Sequence, residues 1–406
     1  MKKKKDTRWR RFRHSVVRNV AYCIIRPYVH FKYGIKIEKF KEQEKRPYLI
    51  LLNHQTPFDQ FFVGMTLKGV VYYMATEDIF SNGWISKAIR YLIAPIPIKK
   101  QTTDIRAILN CLKVAKEGGS ICIAPEGNRT YSGRTEYMNP SIVSLARKLG
   151  MPILLYRIDG GYGSEPRWSD VVRKGHIRVY CHRVIQPEEY ALMSDDEFFT
   201  AISDALYIDE AKVDYEYRHP KLAEYLERAV YYCPFCGLSE FESRNDIIKC
   251  KKCDREIRYL PNKTLEGVGY DFPFKFIANW YDAQKDFMNS TDVTAYGSSA
   301  IYTDRARISE VLVYDRKVPL CEDAEITLCG DRITVRGEGV DLTFHFDEAT
   351  AVTVLGKNKA NIYHGGKIYQ LKGSKRFNAL KYVHIYHRYK NIVKGDENGE
   401  SIFLGL

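Results

Sequence analysis

Between residues 48 and 206, short apolar runs alternate with stretches of helical periodicity. "YLILL", "VVYYMA", "SICIA", "PILLY" and "HIRVY" read as strands, and most are too uniformly apolar for a sheet with one wet face. In "TDIRAILNCLKVAKEGG", Ile105, Ile108, Leu109 and Leu112 share one helical face, and Gly118-Gly119 supplies the stop. "PSIVSLARKLG" is a second amphipathic helix closed by Gly150, and "SDDEFFTAISDAL" opens with a capping box, Ser194 with Glu197. Such alternation predicts an α/β layer built on a mostly parallel sheet flanked by helices. A further helix is expected over "PKLAEYLERAVYY". From about residue 295 the character changes to short strands separated by Gly, Asn and Asp turns, ending in a helix-like stretch, "RFNALKYVHIYHRYKNI".

Charge changes this picture only at one end. The net charge is +13, and residues 1–46 hold sixteen Lys/Arg against four Asp/Glu, so the remainder is almost neutral. A nucleic-acid binder usually spreads its basic residues over the folded body, which argues against nucleic acid as a partner. No run approaches the roughly 18–20 apolar residues that cross a bilayer, and Arg18 and Arg26 interrupt anything resembling a signal peptide. Cations interleaved with Trp9, Phe12, Tyr22, Tyr28 and Phe31 suit a helix lying on an anionic membrane surface. The competing reading is a solvated basic tail, or one that contacts RNA. The expectation is a peripheral protein on the cytoplasmic side of a membrane.

Two polar clusters sit at the carboxyl ends of predicted strands, where open α/β sheets gather their ligand sites. "YLILL" delivers Asn53 and His54, with Asp59 five residues after the histidine; "SICIA" delivers Glu126, Gly127 and Arg129. A third candidate cluster follows "PILLY" at Arg157 and Asp159. Helix capping accounts for Thr56, Pro57 and Asp59 but leaves His54 unexplained. A carboxylate on one ring nitrogen fixes the tautomer and frees the other to accept a proton. Gly127 lets backbone approach a ligand closely, and Arg129 can grip a phosphate or carboxylate through two parallel bonds. The alternative for the second cluster is a surface turn with a local Glu126–Arg129 ion pair.

In order and spacing, "NHQTPFD", "IAPIPIKK", "APEGNRT" and "GMPILLYR" resemble the four motif blocks of the glycerolipid acyltransferase family, whose best-known members are the 1-acylglycerol-3-phosphate acyltransferases. The resemblance spans roughly residues 45–210. It implies His54 as general base, Asp59 as its partner, and Asn53, Lys100, Glu126, Gly127 and Arg129 in substrate binding, with Arg129 on the glycerol phosphate. The implied acceptor is a lysophospholipid; the implied donor is a thioester of coenzyme A or acyl carrier protein. The chain departs from the family at Lys99-Lys100, where arginine is common, and at Asn128, where threonine is usual.

Four of the ten cysteines form two C-x-x-C pairs, Cys233/Cys236 and Cys250/Cys253, with thirteen residues between them. Four thiolates at that spacing suit a structural, tetrahedral zinc with no open position. The other six are scattered singly, as in a reducing compartment. The expected organisation is a basic membrane-surface arm (1–46), an acyltransferase α/β domain (47–230), a four-cysteine zinc ribbon (231–260) and a β-rich accessory domain (261–406), similar in its strand pattern to a pleckstrin-homology-like module. The competing class is a non-catalytic zinc-ribbon scaffold or nucleic-acid-binding module on an acyltransferase-like fold.

Overall fold

The computed structural model describes residues 8–42, 46–98 and 104–395. The first half runs α1 (Phe12–Tyr33), β1 (Ile35–Ile37), β2 (Leu49–Leu52), α2 (Asp59–Gly64), β3 (Val71–Thr76), α3 (Trp84–Leu92), β4 (Ile96–Ile98), α4 (Ile105–Lys116) and β5 (Ser120–Ile123). It continues through α5 (Ser141–Leu149), β6 (Ile153–Asp159), α6 (Gly161–Ser164), β7 (Ile177–Ile185), α7 (Pro187–Ala191) and α8 (Asp195–Leu206). The strands form one sheet in the order β1-β7-β6-β2-β5-β3-β4. Every neighbouring pair is parallel except β6–β7.

The uniformly apolar runs are explained by burial on both faces. Leu49 and Leu51 of β2 join the core under α4, α5 and α8, whereas Ile50 and Leu52 join the core beneath α1 and α2. A strand with water on neither side needs no polar alternation.

The basic segment expected as an arm is, over its described part, folded onto this sheet. Trp9 Nε1 donates to the Ala94 carbonyl at 2.9 Å, and His14 Nδ1 lies 3.1 Å from the Tyr72 hydroxyl. Gly34, at φ 67°, caps α1 in the left-handed region and turns the chain into β1, which pairs with β7. His14, Val29 and Tyr33 supply the buried face of α1.

The helix expected over residues 220–232 does not form. Tyr225 has φ 75°, and only Leu226–Arg228 makes a single 3-10 turn. Leu222, Ala223, Leu226, Ala229, Val230 and Tyr231 are all buried, along with the charged Glu227 and Arg228. The segment's backbone is bonded by side chains instead of by a helical ladder. Asn378 Nδ2 donates to the Glu227 and Val230 carbonyls, while Gln284 donates to the Ala229 carbonyl and accepts from Tyr231 N–H. Tertiary partners therefore override helix propensity.

Beyond it come the hairpin β8 (Tyr232–Cys233) and β9 (Gly237–Leu238), and a four-stranded sheet of β10 (Phe241–Arg244), β11 (Ile247–Cys250), β12 (Glu256–Tyr259) and β13 (Leu265–Gly267). Helix α9 (Ile277–Ser290) leads to β14 (Ala300–Val311), β15 (Lys317–Cys329), β16 (Arg332–Gly337), β17 (Val340–His345), β18 (Ala351–Leu355), β19 (Lys359–His364) and β20 (Lys367–Gly373), and then to α10 (Leu380–Val393). These seven strands form an antiparallel sheet in the order β17-β16-β15-β14-β20-β19-β18. β14 and β15 run 12 and 13 residues, longer than the short strands expected, because register shifts between them accommodate Pro319 mid-strand. One core joins Tyr131, Tyr162 and Trp168 of the α/β unit to the cysteine hairpin, the seven-stranded sheet and α10. The C-terminal region is packed on the α/β unit, not strung from it.

Candidate active site

β2 stops where its side chains take over the ladder. The Asn53 amide accepts from Ile158 N–H at 2.8 Å and donates to the Ile158 carbonyl at 3.0 Å, continuing the β2–β6 pairing by one residue. His54 is then gripped by the loop after β5: its N–H donates to Glu126 Oε1 at 2.8 Å, and its carbonyl accepts from Thr130 N–H at 3.1 Å. Glu126 Oε2 accepts from Glu136 N–H at 3.1 Å. The two strand-end clusters are thus bonded directly to each other.

The imidazole Nδ1 lies 2.8 Å from Asp59 Oδ2. The carboxylate is wholly buried and over-bonded: Oδ2 also accepts from the Gln55 and Thr56 N–H groups at 2.6 and 2.9 Å, and Oδ1 from the Thr56 hydroxyl at 2.6 Å. Helix α2 begins at Asp59 with Phe58 as its N-cap, two residues later than the capping expected from Thr56-Pro57. Asp59 accordingly bonds the turn before the helix. An aspartate on Nδ1 leaves Nε2 as the proton acceptor. Burial lowers the His54 pKa below 6.5, the hydrogen bond and charge of Asp59 oppose this, and Arg129 and Arg167 add to the lowering. The ring is neutral at pH 7, the form a general base requires.

Gly127 turns the loop at φ 69°, with nothing within 4 Å of where a side chain would begin. Backbone conformation demands the glycine, and the space beside it is open. The Nη1 of Arg129 is buried with no hydrogen-bond partner. Burial, then the neighbouring Arg167, bring the Arg129 pKa down to about 10, while Glu165 and Asp59 raise it. A buried guanidinium nitrogen without a hydrogen-bond acceptor is what an anion would satisfy.

Asn53 and Glu126 stand differently from the other expected substrate contacts, since their polar atoms are turned to backbone. Burial raises the Glu126 carboxyl to about 8 against the pull of its two N–H donors; no ion pair with Arg129 forms. Arg157 donates to the Ala205 and Asp204 carbonyls, so the third strand-end cluster is attached to α8. Lys100 lies outside the described residues. What the sequence did not suggest is the second arginine, Arg167, whose Nη1 donates to the Arg129 carbonyl at 3.0 Å; no pattern around "SEPRWSD" separates it from a surface cation.

The four cysteine Sγ atoms lie within 4.8 Å of one another. Tetrahedral zinc with Zn–S bonds of about 2.3 Å places sulfurs about 3.8 Å apart, and the Cys233 and Cys253 sulfurs are 3.8 Å apart. The set fits a zinc ion, with all four positions filled by protein.

A family model described as "Acyltransferase" matches residues 34–158. A chloroplastic 1-acyl-sn-glycerol-3-phosphate acyltransferase of Brassica napus is 23% identical over 46% of this chain and 54% of its own length. The 1-acyl-sn-glycerol-3-phosphate acyltransferase of Bacillus subtilis (strain 168) is 22% identical over 39% of this chain and 77% of its own. The crystal structure of the 1-acyl-sn-glycerophosphate (LPA) acyltransferase PlsC from Thermotoga maritima is 19% identical, covers 48% of this chain and 78% of its own, and has a TM-score of 0.41. The chain spans about half the length of the plant relative. The matched residues 34–158 lie within the α/β unit, and the cysteine hairpin and seven-stranded sheet lie beyond them.

Proposed function

We propose that the acyltransferase-family domain transfers an acyl group from a thioester of coenzyme A or acyl carrier protein to the free hydroxyl of a lysophospholipid, best matched by 1-acylglycerol-3-phosphate, giving phosphatidic acid. The observation that carries this reading is the His54–Asp59 pair at 2.8 Å, beside an arginine with an unpartnered buried nitrogen. His54 Nε2 takes the hydroxyl proton, and Asp59 stabilises the imidazolium that forms. The alkoxide oxygen attacks the thioester carbonyl; the C–S bond then breaks, and the imidazolium returns its proton to the departing sulfur. No covalent enzyme intermediate is needed. General-base help of this kind is worth about 10²–10⁴-fold, and Arg129 on the acceptor phosphate supplies the positioning. Asn53 and Glu126 hold the His54 peptide in place.

Two accessory readings belong to the same proposal. The four thiolates hold a structural zinc. The exposed stripe Phe12, Val16, Val20, Ile24, Tyr28 and Phe31 of α1, spaced at three and four residues and bordered by arginines, docks the enzyme peripherally on an anionic membrane from its cytoplasmic side. Among the described residues no helix is long and apolar enough to cross a membrane.

The test is to incubate full-length protein with lysophosphatidate and a labelled acyl thioester. Phosphatidate should form, and His54→Ala should abolish it without loss of the folded state. An intact wild-type protein that transfers nothing from either donor would return the chain to the scaffold class. For docking, Ile24→Glu should weaken binding to anionic liposomes; unchanged binding would discard the α1 surface.

A further inference from the structure

The β18–β19 turn, Gly356 to Asn358, reaches from the seven-stranded sheet into the neighbourhood of Arg129. Arg167 is buried and held by both halves of the molecule. Its Nε donates to the Gly356 carbonyl at 3.1 Å, its Nη1 to the Arg129 carbonyl at 3.0 Å, and its guanidinium lies 4.4 Å above the Tyr131 ring. Lys357 Nζ donates to the Ser169 carbonyl and lies 3.4 Å from Asp170 and 3.8 Å from Glu165. Asp170 is already engaged by two nitrogens of Arg228 at 2.8 and 3.1 Å, and Glu165 accepts from the Tyr33 hydroxyl at 2.5 Å.

The charges do not cancel. Arg129, Arg167, Lys357 and Arg228 face the carboxylates of Glu165 and Asp170, with Asp59 also acting on Arg129, leaving one positive charge in excess beside the unpartnered Arg129 Nη1. The two halves are joined elsewhere as well. Arg134 bonds Asp282 of α9 at 2.6 Å, Lys285 lies 3.7 Å from Glu136, and Gly83 N–H donates to the Asp315 carbonyl at 2.8 Å. The C-terminal region thereby contacts the α/β unit from the loop after β5 to the segment before α3.

We propose that the β-rich region completes the acceptor site: its Gly356–Lys357 turn fixes Arg167 beside Arg129 and adds the Lys357 ammonium, making a three-cation pocket that selects a phosphate monoester over a diester. A monoester carries up to two negative charges and presents three free oxygens to these cations, whereas a diester carries one negative charge and presents fewer free oxygens to the arginine forks. The inference rests on the acyltransferase reading for its substrate, though not for the cluster of cations. Lys357 and Arg167 are specificity-determining residues here, acting on the headgroup and not on the proton.

The experiment uses full-length protein and glycerol 3-phosphate, with glycerophosphocholine as the diester, in titration calorimetry at pH 8. The monoester should bind at least about tenfold more tightly than the diester. Lys357→Ala should weaken the monoester by about tenfold or more, Lys357→Arg should stay within about threefold of wild type, and Arg167→Lys should fall between them. In acyl transfer, Lys357→Ala should raise the acceptor KM with kcat within about threefold and the donor KM unchanged. Cooperative melting of each variant separates loss of a charge from loss of the fold. Monoester binding that ignores Lys357 in a folded variant, equal binding of monoester and diester, or no headgroup binding at all would overturn the inference. Binding that depends on Lys357 in a protein that transfers no acyl group would keep the pocket and discard the proposed reaction. Acyl transfer with an acceptor KM indifferent to Lys357 would do the reverse.

Discussion

His54 and His384 sit in different halves of the molecule with the same local signature. Each offers Nδ1 to an oxygen, Asp59 at 2.8 Å in one case and the Tyr231 hydroxyl at 2.5 Å in the other. In each, burial is the leading cause of a pKa below 6.5, and for His384 the lowering is large. The difference is what surrounds the ring. His384 lies on α10, fully enclosed between the edges of Tyr231 and Tyr281, and packs a core. His54 lies at a strand end with 15% of its side chain open, braced by a carboxylate and neighboured by two guanidinium groups. A depressed histidine is therefore no sign of chemistry by itself. Access and a charged partner make the distinction.

The largest effect expected in either half comes from removing the proposed zinc. Structural zinc in small domains contributes roughly 10–16 kcal/mol of apparent binding energy, and Cys233 and Cys250 lie within the core that contains the α10 helix of His384. Chelation should release close to one zinc per chain and lower the melting temperature sharply; a metal-free preparation with an unchanged melt would remove zinc from the structure. Next come the two histidines themselves. His54→Ala should cost about 10²–10⁴ in kcat/KM at nearly constant stability. His384→Ala should instead lose about 2–4 kcal/mol of stability with activity per folded molecule preserved. Reversal of that pattern would exchange their roles.

Asp59→Asn should lower kcat by roughly 10²-fold, since the amide still fills the space but no longer balances the imidazolium. The smallest effect is on pH dependence. His54 must be neutral to act and its pKa is lowered, so activity should hold as the pH falls to 6.5 and decline only below it. Asp59→Asn, by removing the group that raises the His54 pKa, should move that acid limb lower still. Stability has the same sign: both histidines stay neutral in the folded protein, while the unfolded chain takes up protons below 6.5. Their contribution is present above 6.5 and lost as pH falls through the folded values, at no more than about 1.4 kcal/mol per pH unit for each group. His384→Gln should flatten that slope in pH-dependent melts.

The α/β layer was legible because its information is local. Four-residue apolar strands buried on both faces, glycines just beyond α4 and α5, and polar residues placed after strand ends can all be read from spacing alone. Direction was not legible. Asn53 and Glu126 sit at strand ends as the pattern implies, yet both turn to backbone, and a strand-end position does not say which way a side chain points. The segment before Cys233 misleads for a related reason. Its apolar residues fit helical spacing, but Asn378 and Gln284, distant in sequence, claim its peptide groups.

By itself, then, the sequence determined a two-sided parallel sheet, a histidine and an acid at one of its strand ends, an arginine at another, and four thiolates spaced for one ion. Each follows from periodicity or short-range spacing, quantities that chain geometry converts directly into position. Only the tertiary structure decided that Arg167 and Lys357 join Arg129. Lys357 lies 228 positions further along the chain, at a hairpin turn where a lysine is ordinarily solvated. It reaches the site because a shared core docks the second half on the first, and shape and burial at that seam leave no periodic trace in the residues that form it.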